Sequence, residues 1–401
     1  MKILLIHQHD PTAGHVGGIG SFINTSLKGA PPDIEIDFIG VSQDPSKYPI
    51  GRWHDVELGN RNFRFLPVVA ADPVLRKWIP LTLQLTWALH RYRSLIPFDQ
   101  AILMFHRIEP ALAFQNLSHP KILFIHGHMN DLYHPLTEVK WKKFPWLYFV
   151  LERRLISGME KVYLCREDAV PFYRDRYPAL GERIGFLPEL VDEEIFHSLP
   201  ENERRRLRRE LTQPLGLPPE SHILLFAGRF EGQKDPLLLL EAFRRVGEKP
   251  NGREILLLIG AGGQEASMRS FVERQGLSRK VKFLGPKSQP EIVSWMNVSD
   301  CLCLSSAYEG MPIVVLEALC CGLPVVSTDT GEIKRMIQNP QVGRVVPHGN
   351  PGALAAAFVD LLSQPPDREA CIQSAAPYTS GKVLKRVWED CRRISKDRFR
   401  P

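Results

Sequence analysis

Residues 301–327, CLCLSSAYEGMPIVVLEALCCGLPVVS, decide the fold. Cys301–Leu304 is a short apolar run, and a second such run, Val325–Ser327, follows the turn Gly-Leu-Pro. Runs that are apolar at successive positions, without alternation, are typical of parallel strands buried on both faces. The apolar segment between them follows Gly310–Met311–Pro312 and has the length of a short helix. The stretch therefore predicts a strand–helix–strand unit of a parallel sheet.

The same pattern of apolar runs and helical segments recurs along the whole chain. In the first half the predicted strands are Ile3–Ile6, Ile34–Val41, Ala101–Phe105, Ile122–Ile125, Val162–Leu164 and Ile184–Leu187. In the second half they are Ile223–Ala227, Ile255–Ile259, Val281–Leu284, Cys301–Leu304, Val325–Ser327 and Arg344–Val346. Amphipathic segments such as Pro236–Val246 separate them. The predicted fold class is α/β, with two Rossmann-like doubly wound domains facing a central cleft.

A proline-rich break divides the pattern into two halves. The prolines between positions 200 and 220 surround an arginine-rich helix, which we interpret as a solvated interdomain segment. The predicted organisation is an N-terminal domain over 1–200, a linker over 201–220, a C-terminal domain over 221–380 and a basic helix over 381–401 that can pack back on the N-terminal domain.

Composition excludes several classes of protein. The chain has 401 residues, 44% hydrophobic and 24% charged, which is typical of globular domains and not of a coiled coil, collagen or a low-complexity chain. The net charge is only +6, whereas a nucleic-acid-binding protein normally has a broad basic face. Its seven cysteines have no CxxC pair or other metal spacing, so we expect reduced thiols and no metal. The apolar runs are too short for a signal peptide or for a membrane-spanning helix. We therefore expect a cytoplasmic protein.

Glycines cluster after the first predicted strand, in HDPTAGHVGGIGSF. Gly14, Gly17, Gly18 and Gly20 would let backbone amides approach a phosphate or sugar at a helix N-terminus. The dinucleotide fingerprint G-x-G-x-x-G is not matched, so a structural turn is an equal alternative.

Two cations follow the strand that opens the second half, in LLFAGRFEGQKDPLLLLEAF. Arg229 and Lys234 lie five positions apart, after the strand ends and before the next helix begins. They could bracket a diphosphate, the arginine as a rigid fork and the lysine as a point charge. The alternative is a pair of ordinary surface cations.

Two glutamates frame the helix of the opening stretch. Glu309 lies before the helix and Glu317 eight positions later, among apolar neighbours. A carboxylate buried there needs a partner, and a pair of ribose hydroxyls is a natural one. The loop around Gly310 also presents backbone N–H groups where the helix dipole favours anions.

These elements together resemble a known family. Glu309 and Glu317, preceded by GRFEGQK and trailed by GLPVVSTDTGE, are similar to the E-x7-E element of retaining glycosyltransferases with the GT-B fold (family 4, glycosyl transferases group 1). The resemblance covers about Leu224 to Val346. It is thinner in the first half, where it depends on Gly17–Gly18, on His126 and on FLPELVDEEIF.

The resemblance implies a role for each matching residue. Glu317 would hold the donor ribose, and Arg229 and Lys234 would neutralise the diphosphate leaving group. Glu309 would address the sugar hydroxyls and distal phosphate. His126, after the strand KILFIH, would face the donor sugar, with His128 as a rival. The remaining donor-binding residues implied are Gly17, Gly18, Gly310, Met311, Pro312 and Ile313.

The implied function is a hexosyltransferase that uses a nucleotide diphosphate-sugar as substrate, without a cofactor or metal. The acceptor would be a glycan, a lipid-linked molecule or a small molecule. A sugar-nucleotide epimerase or hydrolase, and a sugar-nucleotide-binding protein without turnover, are the alternatives. We expect Glu317→Ala and Lys234→Ala each to abolish transfer while leaving the fold intact.

Two basic and aromatic stretches raise the question of a membrane partner. These are VLRKWIPLTLQLTWALHRYR, which begins at Val74, and KWKKFPWLYFVLERR, which begins at Lys140. Such helices can lie on an anionic membrane, here the inner face of the cell membrane. Ordinary core helices with basic outer faces explain them equally well. Among the other histidines, His106 is the candidate for touching an acceptor.

Overall fold

The computed structural model describes residues 1–13, 17–72, 79–128, 133–136, 140–246, 252–364 and 367–399. They form two units. The first comprises the described residues of Met1–Leu132, Val139–Glu189 and Ser380–Pro401, and the second those of Tyr133–Glu138 and Leu190–Thr379. Each unit contains its own sheet of mostly or wholly parallel strands, together with helices.

The first unit is built on an eight-stranded sheet. Its strands are β1 (Lys2–Ile6), β2 (Glu35–Ser42), β3 (His54–Leu58), β4 (Arg61–Ala70), β5 (Ala101–Phe105), β6 (Lys121–Ile125), β7 (Lys161–Leu164) and β8 (Ile184–Phe186), in the order β3-β4-β2-β1-β5-β6-β7-β8. Its helices are α1 (Gly18–Lys28), α2 (Leu81–Arg91), α3 (Pro145–Ile156), α4 (Ala169–Arg176) and the C-terminal α13 (Ser380–Arg398). Every pairing is parallel except that of β3 with β4.

The second unit is built on a six-stranded, wholly parallel sheet. Its strands are β9 (His222–Ala227), β10 (Glu254–Ile259), β11 (Val281–Gly285), β12 (Cys301–Leu304), β13 (Val325–Thr328) and β14 (Gly343–Val346), in the order β11-β10-β9-β12-β13-β14. Its helices are α5 (Glu201–Thr212), α6 (Pro236–Val246), α7 (Glu265–Arg274), α8 (Gln289–Val298), α9 (Ile313–Cys320), α10 (Ile333–Met336), α11 (Pro351–Leu362) and α12 (Arg368–Ala375).

The apolar runs identified in the sequence are the central strands. Leu4, Leu103 and Leu123 on neighbouring strands are fully buried because helices cover both faces of the sheet. The predicted α/β class with two doubly wound sheets is confirmed. The antiparallel strand β3 was missed because it lies at the sheet edge and buries only Val56. Its partner β4 was also missed, although it buries the apolar side chains of Phe63, Phe65, Leu66 and Val68.

The segment predicted as a linker is an integral part of the second unit. Residues 190–379 belong to one unit, so its boundary lies near 190 rather than 200. Within it, α5 packs on α8, and the Arg208 guanidinium donates to the Asp300 carboxylate, with 3.1 Å between Nη2 and Oδ2. The half-buried Arg204 and the exposed Arg205 both pair with Glu201. The arginine-rich helix is thus packed on the second unit through Arg208, while Arg205, Arg206 and Arg209 are exposed.

The C-terminal helix α13 groups with the first unit. Asp390 accepts a hydrogen bond from the Tyr163 hydroxyl at 2.6 Å, and Arg392 pairs with Asp33. The apolar face of α13, including Trp388, is buried. No helix in the described parts of the chain is both long and apolar enough to span a membrane.

Candidate functional site

Lys234 and Glu309 meet where two neighbouring strands end. Lys234 closes a tight 3-10 turn, Gly232–Lys234, in the loop after β9, and Glu309 lies in the loop after β12. Because β9 and β12 are adjacent and parallel, their carboxyl ends lie side by side. Lys234 Nζ donates to Glu309 Oε1 at 2.5 Å, and both side chains are largely buried. The Ser305 hydroxyl also donates to the Lys234 carbonyl at 2.8 Å, which fixes one loop on the other.

Gln233 extends this pair to Arg229. Its Nε2 donates to Glu309 Oε2 and to the Tyr308 carbonyl, both at 3.3 Å. Its Oε1 accepts from Arg229 Nη2 at 3.4 Å. The Arg229 side chain is exposed. Sequence analysis did not single out Gln233, although its position directly before Lys234 in GRFEGQK was the available signal.

Glu317 lies on α9, eight positions after Glu309 in the sequence. Burial among apolar side chains raises the pKa of the Glu317 carboxyl to about 7, and the nearby Lys234 ammonium opposes that rise. Within the described ranges no side chain or backbone amide donates a hydrogen bond to the Glu317 carboxylate. Glu317 is thus partly buried, and no described residue donates to its carboxylate.

The loop between Glu309 and α9 can act only through its backbone. Met311, Pro312 and Ile313 are buried, and Pro312 is the residue before the helix begins. The Gly310 carbonyl accepts from the Glu332 amide at 3.1 Å. These residues place the N-terminus of α9 beside Glu309, as the sequence predicted.

Gly331 is required for that arrangement. Its φ is +53°, and a Cβ built on it would lie 2.0 Å from the Gly310 carbonyl oxygen and 2.6 Å from that of Glu309. No other residue type fits without moving the loop. Sequence analysis did not identify this constraint, because it arises from the packing of the loop after β13 on the loop after β12.

The glycines of the first unit lie where β1 gives way to α1. Gly17 precedes the helix and Gly18 begins it, and both are exposed. A Cβ on Gly17 would meet no atom of the described residues within 4 Å. Gly14 lies outside the described residues.

His126 belongs to a chain of side chains at the ends of β5, β6 and β8. Its Nδ1 lies 2.5 Å from Glu189 Oε1, and its Nε2 lies 2.8 Å from His106 Nδ1. Since the carboxylate only accepts, His126 donates through Nδ1 and accepts through Nε2, so His106 donates. Both ring nitrogens of His126 thus have partners within the first unit. The sequence predicted that His126 faces a ligand and did not assign Glu189 a role.

The neighbouring histidines are neutral in this environment. Burial lowers the pKa of His106 and of His7 well below 6.5. His106 Nε2 has no hydrogen-bond partner in the described part of the protein. His128, the rival to His126, instead contacts Phe172, with 5.5 Å between ring centroids. No group of three or more His, Cys, Asp or Glu suited to a metal ion occurs among the described residues.

The comparison with protein families identifies the second unit. Residues 208–377 match the family described as glycosyl transferases group 1. The match covers less than half of the chain, and over these residues the second unit is similar to that family. The glycosyl transferases group 1 match contains Arg229, Lys234, Glu309 and Glu317, so all four charged residues assigned from the sequence lie within it.

Curated proteins similar to this chain include the D-inositol 3-phosphate glycosyltransferase of Paenarthrobacter aurescens. It is 28% identical over 230 residues, which cover 57% of this chain and 55% of that protein. The protein of the same description from Corynebacterium urealyticum is 28% identical over 251 residues, covering 60% and 58%. The chain thus matches little more than half the length of these relatives.

Solved structures with the same fold match nearly the whole chain. Sucrose-phosphate synthase from Thermosynechococcus elongatus superposes with a TM-score of 0.77 at 18% identity, covering 98% of each chain. Anabaena HepE in complex with UDP-glucose superposes with a TM-score of 0.70 at 16% identity, covering 98% of this chain and 99% of that one. At such identities the likeness shows the fold, which is GT-B.

Proposed function

We propose that this protein is a retaining glycosyltransferase that moves a hexose from a nucleotide diphosphate-sugar to a glycan, lipid-linked or small-molecule acceptor. The observation that carries the proposal is the convergence of Lys234, Glu309 and Arg229 where β9 and β12 end, close to the N-terminus of α9. Cations, a helix N-terminus and carboxylates are the groups that a diphosphate and a sugar require.

Each charged residue has a distinct task in the proposal. Lys234 has three donor hydrogens, and its contact with Glu309 uses one of them, so the ammonium can also serve a phosphate oxygen. Arg229 is exposed and able to form a two-pronged contact with the diphosphate. Glu317, with no donor from the described residues, accepts from the ribose hydroxyls.

The reaction breaks the bond between sugar C1 and the diphosphate oxygen, and the acceptor hydroxyl oxygen forms a new bond to C1. Negative charge grows on the departing diphosphate, and the acceptor proton passes to it. Preorganised cations and backbone amides that meet that charge contribute several kcal/mol to lowering the barrier. The proposal uses no metal, since Arg229 and Lys234 balance the charge of the leaving group.

The similar proteins suggest which ligands to test first. UDP-glucose is bound in the Anabaena structure, and an inositol phosphate is named for the curated relatives. We therefore propose a uridine diphosphate-sugar as the first donor and an inositol phosphate as the first acceptor to assay.

Thermal unfolding with a panel of UDP-, GDP-, ADP- and TDP-sugars tests the donor. A nucleotide-sugar that binds the folded state raises the melting temperature when it exceeds its dissociation constant. We expect one nucleotide to stabilise the wild type and not Glu317→Ala. Arg205→Ala, on the exposed face of α5, is the matched control and should respond like the wild type. A panel that leaves the wild type unchanged would contradict the proposal.

Product analysis separates transfer from the alternatives. A retaining transferase gives a glycoside with the same anomeric configuration as the donor, which proton NMR reads from the anomeric coupling. Free sugar without glycoside would identify a hydrolase, and an altered donor sugar an epimerase. Donor binding with none of these products would identify a binding protein without turnover.

A further inference from the structure

The outward face of α3 is apolar, although the opposite face is already buried. Leu155 and Ile156 pack in the core of the first unit, and Tyr148, Phe149 and Leu151 pack partly against it. On the other side Trp146 is 64% exposed and Val150 is 59% exposed, with Leu147 beside them. Phe144, just before the helix, is 57% exposed. A surface helix normally presents polar side chains outward, so this second apolar face requires a partner.

Basic side chains flank the apolar face at both ends. Lys142 and Lys143 precede it in the 3-10 helix Lys140–Lys143, and Arg153 and Arg154 follow it on the last turn of α3. All four lie exposed. We call Phe144, Trp146, Leu147 and Val150, with these four cations, the aromatic–basic surface. Its spacing of three and four residues places the α3 members on one side of the helix.

The single carboxylate of this segment points away from that surface. Glu152 is buried and accepts from the Tyr177 hydroxyl at 2.7 Å and the Tyr173 hydroxyl at 3.2 Å. Between residues 140 and 157 there is no other acidic residue. Residues 140–157 therefore contribute four exposed cations and no exposed carboxylate to this part of the unit.

Helix α2 adds further exposed apolar side chains on the same side of the first unit as α3. Both α2 and α3 pack on the 3-10 helix Glu109–Phe114, and both contribute to the same core cluster. On α2, Trp87 is 71% exposed, and Leu83 is exposed one turn before it. His90 and Arg91 end the helix on its exposed side. The residues 73–78, which include the first cations of this sequence motif, lie outside the described ones.

We propose that the aromatic–basic surface, together with the outward face of α2, docks the protein on an anionic lipid bilayer. Tryptophan and phenylalanine side chains settle at the boundary between headgroups and acyl chains, and lysine and arginine meet the negative headgroups. Cations near such a surface each strengthen the attraction by about 1 kcal/mol, or roughly fivefold in partitioning.

A second copy of this chain is a poorer occupant. A symmetric contact would apply the same patch to itself and bring two sets of four cations into one interface. The segment has no exposed carboxylate to pair with them, and like charges across an interface weaken association. An anionic bilayer meets both the apolar and the charged requirement at once.

Flotation of the 401-residue chain with lipid vesicles tests the proposal. One set of vesicles contains phosphatidylcholine alone, and the other also contains phosphatidylglycerol. We expect binding to the anionic vesicles that weakens as salt is raised. Arg153→Glu/Arg154→Glu should lower partitioning by more than tenfold, because attraction becomes repulsion at two positions. Trp146→Ser/Val150→Ser should lower it by a similar factor, while Trp146→Phe should retain it.

The control for the charge change is Arg205→Glu/Arg206→Glu on α5, where both side chains are exposed in the second unit. It should float like the wild type. Equal flotation of all variants, or no flotation of the wild type with anionic vesicles, would overturn the proposal. So would a dimer in sedimentation that Trp146→Ser/Val150→Ser dissociates while vesicle binding is absent. No nucleotide enters this experiment, so its failure is distinct from a failure of the proposed function.

Discussion

Lys234 and Glu309 form an ion pair that joins the loops after β9 and β12, with 2.5 Å between Nζ and Oε1. Both side chains are largely buried, and Gln233 donates a further hydrogen bond to the same carboxylate. The Lys234 ammonium, which we propose binds the donor diphosphate, is therefore already paired with the Glu309 carboxylate before any ligand binds. Removing one partner leaves the other charged and poorly solvated.

We predict that Lys234→Met abolishes donor binding and also destabilises the fold. The free energy of unfolding should fall by about 3 kcal/mol, as when a buried ion pair loses one member. This differs from the expectation from sequence that loss of Lys234 leaves the fold intact. Urea denaturation measures the stability, and calorimetric titration with the nucleotide-sugar identified by thermal unfolding measures binding.

The double variant Lys234→Met/Glu309→Leu provides the control. It removes both charges, so it should recover much of the stability without recovering donor binding. If Lys234→Met were as stable as the wild type, the pair would be screened by solvent, and the proposed electrostatic coupling of the two loops would be wrong.

The raised pKa of Glu317 predicts that the free energy of unfolding depends on pH. Its pKa is raised from 4.5 to about 7 in the folded protein. Between these values the folded state holds a proton that the unfolded state has released, so this contribution to stability falls as pH rises from about 4.5 to about 7 and is constant above. The full loss is on the order of 3 kcal/mol. Glu317→Gln should remove this trend.

The comparison between wild type and Glu317→Gln is essential for that measurement. His7 and His106 have lowered pKa values, so their unfolded forms bind protons below about 6.5 and oppose the trend. The difference between the two proteins in urea, followed across this pH range, isolates the glutamate. A difference that does not change with pH would contradict the assignment of Glu317 as a carboxyl with a raised pKa.

Residue patterns predicted the sheets and the charged residues of the second unit, but not the contacts between loops. The strand Cys301–Leu304 is predictable from its apolar run, and Glu309 from its spacing to Glu317. Strand β3 is not predictable in this way, because an edge strand with one buried side chain has no apolar run. Gly331 could not be found either, since its constraint comes from Gly310, twenty-one positions away in the sequence.

The histidine chain shows the same limit. The sequence placed His126 correctly after β6, yet nothing in it tells which atoms its ring contacts. Glu189 was assigned no role from the sequence, whereas in the structure its carboxylate oxygen Oε1 lies 2.5 Å from His126 Nδ1. A contact across sixty-three positions depends on the fold of the whole unit.

We predict that Glu189 fixes the tautomer of His126. Glu189→Leu should lower the free energy of unfolding by about 1.5–3 kcal/mol, since a hydrogen bond to a charged group is lost. Glu189→Gln keeps an acceptor and should cost less. Nitrogen-15 spectra of the imidazoles should show His126 protonated at Nδ1 in the wild type. A mixture of tautomers in the wild type, or a spectrum unchanged in Glu189→Leu, would contradict this role.

We predict that Gly331→Ala weakens donor binding, although Gly331 lies outside the proposed donor-binding residues. In Gly331→Ala the new Cβ would lie 2.0 Å from the Gly310 carbonyl oxygen, at a φ of +53°. The loop that carries Glu309 must move, so donor affinity should fall by tenfold or more, with a loss of stability above the roughly 1–2 kcal/mol of a left-handed alanine. The control is Gly349→Ala, whose φ is +78° and whose Cβ would meet nothing within 4 Å. It should lose only that backbone contribution and bind the donor as the wild type does. Equal donor affinity in the two variants, measured by calorimetry, would show that the position of Gly310 does not govern the donor site.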